Sequence, residues 1–327
     1  MPNSTPRPSI WLGLLTLYLV WGSTYLGIRI AVETLPPFLM AGARFALAGL
    51  VLLGWTALRD PDAIATTTRR EWRDSAIVGA LLLGGGMGLV AFGEQHVPSG
   101  ITALLIALMP VWIAVLGWVF LRERLPGLAL VGIVVGFVGV AILAGPTITG
   151  GSGGFDPISV VALILSPILW ATGSLFASHR ARLPERPLLA TGIQMLLGGL
   201  VLFAMAILAG EPARFHPEAV SAASLGAFGY LLVVGSLVAF TTYGWMLRVA
   251  PLPLVATYAY VNPVIAVILG GLILQEPIEP RTVVAGAVIV FAVALIVTTR
   301  SRLRTPDESA RPTDPVSTAR PAPISPR

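Results

Sequence analysis

The sequence predicts an all-α membrane protein of ten transmembrane helices, arranged as two inverted five-helix repeats. Three observations predict it. Only 11% of the 327 residues are charged and 55% are hydrophobic, against roughly 25% charged in a soluble domain, so charge cannot cover a water-facing surface. Ten apolar runs approach the roughly 20 residues that a helix needs to cross the hydrocarbon layer. Landmarks of the first half also recur in the second at a nearly constant separation.

The runs fall at residues 10–31, 38–57, 75–93, 99–120, 127–144, 157–177, 187–208, 222–244, 254–274 and 281–299. The first is too long for a signal-peptide core and has no small-residue cleavage site behind it, so it reads as a retained span. Proline, glycine and charge separate the others: Pro36-Pro37, Arg69-Arg70-Glu71, Val97-Pro98, Leu125-Pro126, residues 150–154, Leu183-Pro184, Pro251 with Pro253, and Pro277 with Pro280. The short alternating segments of a barrel are absent. The expected organisation is an N-terminus over 1–9, a first repeat over 10–144, an external linker over 145–156 and a second repeat over 157–299. The tail over 300–327, rich in Pro, Ser, Thr and Arg, has no apolar period and reads as disordered.

An even number of spans leaves both termini on one side, and arginine selects that side. Leaving the tail aside, eleven arginines fall with the termini: Arg7, Arg59, Arg69, Arg70, Arg73, Arg122, Arg124, Arg180, Arg182, Arg186 and Arg248. Three fall opposite: Arg29, Arg214 and Arg281. The positive-inside bias puts both termini in the cytoplasm of a multi-pass inner-membrane protein.

The repeat is carried by matched landmarks. Leu108-Met109-Pro110-Val111 in the fourth span corresponds to Val261-Asn262-Pro263-Val264 in the ninth, 153 residues later, and the same offset takes Glu123 onto Glu276. Trp21 corresponds to Trp170 at an offset of 149, and Gly42 with Arg44 to Gly192 with Gln194 at 150. Five spans per half is an odd number, so the second half enters the membrane inverted. Such repeats allow a midplane site to open to one side at a time.

Composition also excludes chemistry. The chain has no cysteine, which removes disulfides and thiolate sites. It has no lysine either, all 21 basic residues being arginine, which removes Schiff-base chemistry. His96, His179 and His216 lie in loops, and no zinc, Walker or nucleophile-elbow pattern occurs. The expectation is a protein that is not an enzyme and takes no metal or cofactor. The isoelectric point near 10.2 reflects arginines in loops and tail, so the expected partners are the bilayer and a small-molecule solute, not nucleic acid.

Transport requires polar or aromatic groups around a cavity, on helices that bend. The fifth and tenth spans lack polar side chains in their middles, and Gly132, Gly136 and Gly139 of the fifth are spaced for close helix contact. They are expected to form scaffold or a homodimer contact. Pro110 and Pro263 lie mid-span at matched depth and predict paired kinks, and Gly84-Gly85-Gly86 predicts a hinge or a close contact. Asn262 beside Pro263, with Tyr258 one turn earlier, joins Trp21, Tyr25, Trp112 and Trp170 in an expected aromatic cavity. Trp11, Tyr18 and Trp55 fit the interfacial belt instead. Arg44 sits inside the second span, where a charge is expensive and marks function. It is expected to pair with Glu33 or Glu94, or to meet a substrate carboxylate, with uncharged Gln194 as its counterpart. Glu94, at the outer end of the third span, is the candidate to carry a coupling proton, the alternative being a helix-end acid exposed to water.

Several of these residues together resemble a known family. Trp21-Gly22-Ser23-Thr24-Tyr25 with Arg29, Ala43-Arg44-Phe45, Val97-Pro98-Ser99-Gly100 leading to Pro110, and Arg122-Glu123-Arg124 resemble the EamA branch of the drug/metabolite transporter superfamily. Thr257-Tyr258-Ala259-Tyr260-Val261-Asn262-Pro263-Val264 is similar to its YedA-like exporters. The resemblance spans about residues 10–299 and makes each half an EamA-like repeat. It implies ten helices, cytoplasmic termini and a secondary transporter that exports amino acids or related metabolites. The alternatives are efflux of aromatic or cationic toxic compounds, and a metabolite importer or facilitator. The absence of a mid-span acid argues against cations.

Overall fold

The structure, a computed structural model, describes residues 8–122, 126–149, 154–250, 252–255 and 257–304. Glu123, Arg124, the glycine-rich centre of the linker and the tail from residue 305 lie outside the described residues, as do the first seven residues. The described residues are all-helical, without a strand. Among the described residues nine helices are long and apolar enough to cross a bilayer, and Tyr258–Ile273 is a shorter apolar helix.

The helices follow the apolar runs closely. α1 is Pro8–Ala31 and α2 is Pro37–Arg59. α3 is built of three continuous pieces, Arg69–Gly79, a π-helical segment Ala80–Met87, and Gly88–Gly93. It starts six residues before the apolar run expected at 75, because Thr68 and Glu71 form a capping box on its first turn. α4 comprises Ser99–Ile106 and Met109–Leu121, broken at Ala107 and Leu108. α5 is Gly127–Thr149, α6 Pro157–His179 and α7 Pro187–Leu208. α8 runs from Ala222–Tyr230 through a second π-helical segment, Leu231–Val238, to Ala239–Val249. The run expected as one ninth span is split into a single turn, Leu252–Val255, and α9, Tyr258–Ile273. α10 is Pro280–Arg304.

Lipid offers helices no hydrophobic incentive to associate, so close backbone approach at small residues has to hold them together. α2 and α7 show this most clearly. A Cβ on Gly199 would stand 2.6 Å from the Ala46 nitrogen and 2.9 Å from the Gly42 carbonyl oxygen, so glycine alone permits that crossing. α5 and α10 pack likewise: Ile296 fills the space beside Gly132, and Ile289 that beside Gly139. The glycines of the fifth span are thus occupied from within the chain. The faces turned outward carry exposed Val131, Val134, Val138, Val284 and Phe291.

Helix ends are tied by carboxylates. The first amides of a helix have no partner of their own and favour negative charge. Glu211, after α7, accepts from the Phe38 and Leu39 amides of α2 at 3.1 and 2.8 Å. Glu276, after α9, accepts from the Ser99 amide and hydroxyl at 2.8 and 3.0 Å and from the Gly100 amide at 3.3 Å. Asp60, after α2, forms an ion pair with Arg186, the residue that precedes α7.

Gly199→Ala should therefore destabilise the purified protein by about 1–3 kcal/mol through overpacking against backbone. Gly54→Ala on α2, where a Cβ meets nothing within 4 Å, should not. Thermal unfolding in detergent measures both.

Candidate functional site

The breaks in the helices converge on one place. Proline has no N–H, so the carbonyl four residues before it loses its helical partner. For Pro110 that carbonyl belongs to Ile106, and for Pro263 to Ala259. All four residues line a single cavity of about 110 Å³, enough for on the order of ten waters. Pro110 does not kink a continuous helix as expected. It stands in the first turn of Met109–Leu121, where that helix needs no amide from it, and Ile106 is the last residue of the preceding helix. Pro263 lies inside α9, as a proline in a continuous helix.

The two π-helical segments serve the same cavity. Each contains a glycine against which a large cavity side chain rests. A Cβ on Gly86 would stand 2.9 Å from the Trp170 ring, and one on Gly235 would stand 3.2 Å from Arg44 Nη2. Each segment also makes a polar contact. The Ser166 hydroxyl donates to the Gly86 carbonyl at 2.8 Å, and Arg44 Nε donates to Ser236 Oγ at 2.8 Å. Insertions of this type recur at functional sites because they turn backbone groups away from the regular ladder.

Six residues expected in the cavity line it: Trp21, Tyr25, Arg44, Trp170, Tyr258 and Asn262. Trp21 is the centre of an aromatic cluster, 4.9 Å from Tyr258, 5.1 Å from Tyr243 and 5.7 Å from Phe240 between ring centroids. Asn262 is buried, and its side-chain oxygen has no hydrogen-bond partner among the described residues. Arg44 is 3% exposed and packs over the Phe45 ring at 4.7 Å. Among the described residues no ion pair joins it to Glu33 or Glu94; its partner is the Ser236 hydroxyl. Among the described residues it is the one charged side chain lining the cavity.

Two expected residues lie elsewhere. Trp112 packs edge-on against Phe137 of α5 at 5.3 Å, pointing away from the cavity into the α4–α5 contact. Gln194 lies on α7, its carbonyl pressed against Gly79 of α3. Gly84 and Gly85 abut Val201 and Leu169, so of the three glycines Gly86 alone meets a cavity-lining side chain. Glu94 follows the end of α3, fully buried and outside the cavity lining. Trp11 and Trp55 are about half exposed, whereas Tyr18 hydrogen-bonds Thr257. Thr24, Ser166, Pro167 and Phe240 also line the cavity. None of these four is among the residues expected there; Ser166-Pro167, a polar residue beside a proline within the sixth span, is the pattern that could have pointed to that helix.

No group of histidine and acid side chains able to hold a metal occurs among the described residues. Backbone kinks, aromatic rings and one guanidinium suit reversible binding of a solute. The comparisons agree. The sequence profile of the EamA-like transporter family matches residues 8–145 and again 157–298. The chain belongs to the EamA-like transporter family. It is 38% identical over 285 residues to the uncharacterized inner membrane transporter YedA of Escherichia coli K12, covering 86% of this chain and 89% of that protein. It is also 26% identical to an uncharacterized transporter of Archaeoglobus fulgidus, covering 89% of this chain and 99% of the relative. Protein PecM of Dickeya dadantii is 27% identical, with 85% and 88% covered. A solved structure 21% identical superposes with a TM-score of 0.60 over 92% of this chain and all of its own, which shows the shared fold. The protein is a multi-pass membrane transporter, not an enzyme.

Ser236→Ala removes the hydroxyl that holds the Arg44 guanidinium. It should lower stability by about 1.5–3 kcal/mol, the range for a hydrogen bond to a charged group. Thr241→Ala, an exposed hydroxyl bonded within its own helix, should change it by less than about 0.5 kcal/mol. Thermal unfolding in detergent compares the two.

Proposed function

We propose that the chain is a secondary transporter that exports small metabolites, with amino acids and related carboxylate-bearing compounds as its substrate class. The carrying observation is the composition of the cavity: Arg44 as sole charge, unpartnered Asn262 Oδ1, and an aromatic wall at Trp21, Trp170 and Tyr258. Arginine suits a carboxylate, because its planar fork presents paired donors. The rings suit an apolar side chain, and the Asn262 oxygen can accept from an ammonium or hydroxyl group. A cation would meet like charge there and no acid, which disfavours cationic toxic compounds.

The mechanism proposed is alternating access between two inverted five-helix repeats, with both termini in the cytoplasm. Four features support the repeat: the twofold match to one family profile, the π segments 151 residues apart at Ala80 and Leu231, the split fourth and ninth spans, and the paired prolines. The arginine distribution supports the orientation. Broken helices at a shared midplane site are what such exchange requires, since their freed backbone can face solute and water in turn.

The test is untargeted metabolite profiling of spent medium from cells overproducing the protein, against an empty-vector control. A particular amino acid or carboxylate should accumulate outside. Trp21→Ala or Asn262→Ala should cut its export on the order of tenfold, the factor given by about 1.4 kcal/mol of lost interaction, with membrane insertion intact. An unchanged medium with the protein in place would overturn the export reading in favour of xenobiotic efflux or import.

A further inference from the structure

Among the described residues three carboxylates are almost wholly removed from solvent: Asp74 and Glu94 at 0% exposure and Glu211 at 3%. Two of them are compensated. Asp74 accepts from the Arg73 guanidinium at 2.8 Å and from the Arg182 amide at 2.8 Å, and Glu211 accepts from two first-turn amides of α2. Glu94 is not, since neither of its carboxylate oxygens has a hydrogen-bond partner among the described residues. An ionised carboxylate placed so would lose its hydration with nothing direct in return, whereas a protonated one is a neutral acid that tolerates burial.

The surroundings of Glu94 come from several elements. α1 presents Tyr25 and Arg29, α2 presents Arg44, and Glu276 lies beyond α9. Arg29 is committed elsewhere, its Nη1 donating to the main-chain carbonyls of Glu94 and Gln95 at 2.5 and 2.8 Å. Arg44 donates to Ser236. Glu276, held on the Ser99 and Gly100 amides, adds negative charge that opposes ionisation of its neighbour. His96, two residues further on, meets the Ser159 hydroxyl of α6 at 3.1 Å, and Asp156 caps that helix on the Ser159 amide at 2.7 Å.

We propose that Glu94 is a proton-binding site of the transport cycle, occupied by a proton in this conformation. Intramembrane and near-membrane acids without a standing partner are the groups that pick up and release protons. The link to the solute rests on the function proposed above, because Tyr25 and Arg44 both neighbour Glu94 and line the cavity. A carboxylate solute seated on Arg44 cancels one of the two cations available to stabilise ionised Glu94. Proton binding and solute binding therefore favour one another, and by linkage the effect is reciprocal. Solute and proton then leave together, and the export proposed above is driven by the solute's own outward gradient.

Infrared difference spectra of the full chain reconstituted in liposomes, titrated from neutral to alkaline pH, test this directly. The expected result is a protonated-carboxyl C=O band at neutral pH that disappears on alkalinisation, is absent in Glu94→Gln, and persists in Glu211→Gln. Elution of Glu94→Gln as a single species by size exclusion controls for folding. If that variant aggregates, Glu94→Asp, which keeps an acid, should retain the band at a shifted frequency. Absence of the band from the unaltered protein, or its persistence in Glu94→Gln, would overturn the proposal. Saturating L-phenylalanine, the probe solute, should move the midpoint of band loss to higher pH. A band that titrates through Glu94 but ignores phenylalanine would leave the proton site standing and count against the proposed substrate class.

Discussion

A backbone amide or carbonyl in hydrocarbon must find a partner within the protein, because no water is available to supply one. This constraint explains why the interruptions of regular helix are distributed as they are. α2, α5, α7 and α10 are continuous and pack as pairs through glycines. The splits of the fourth and ninth spans and the π segments of α3 and α8 gather instead around one cavity. There a loosened carbonyl can face a side chain such as Ser166, or the cavity itself.

The same constraint sets the electrostatics. Charges at helix ends are handled locally, as Glu211 and Glu276 occupy first-turn amides of helices from the other half of the chain. Those contacts join the two halves by hydrogen bonds that satisfy both partners at once. Arg44 is the charge inside the span, and it is held by a hydroxyl and an aromatic face rather than by an acid. A cation ion-paired to an acid would have little to offer a solute. Held by Ser236 alone, it keeps its charge available to the cavity. Glu94 is the complementary case, an acid with cations nearby and none bonded to it.

Much of the architecture was legible in the sequence because hydrophobic length and proline are local properties. The apolar runs mark helices to within a few residues, and the recurrence of Asn262-Pro263 after Met109-Pro110 marks two prolines that line one cavity. Trp21, Trp170 and Tyr258 stood out as aromatic rings too deep for the interfacial belt. Trp112 stood out for the same reason, yet its ring turns to Phe137, because depth says nothing about which side of a helix a residue occupies. Gln194, matched to Arg44 by sequence offset alone, lies outside the cavity lining, its carbonyl against Gly79 of α3.

The sequence by itself determined the membrane class, the order of the helices, and which residue types were candidates for a solute site. Each follows from composition or from spacing along the chain, which the bilayer converts directly into position. Only the tertiary structure decided which candidates meet. The partnership of Arg44 with Ser236 joins residues 192 positions apart, and the isolation of the Glu94 carboxylate is a property of everything packed around it. Neither is encoded in a local pattern, because a hydrogen bond made or missing inside the bundle depends on helix rotation, and rotation is set by all the contacts together.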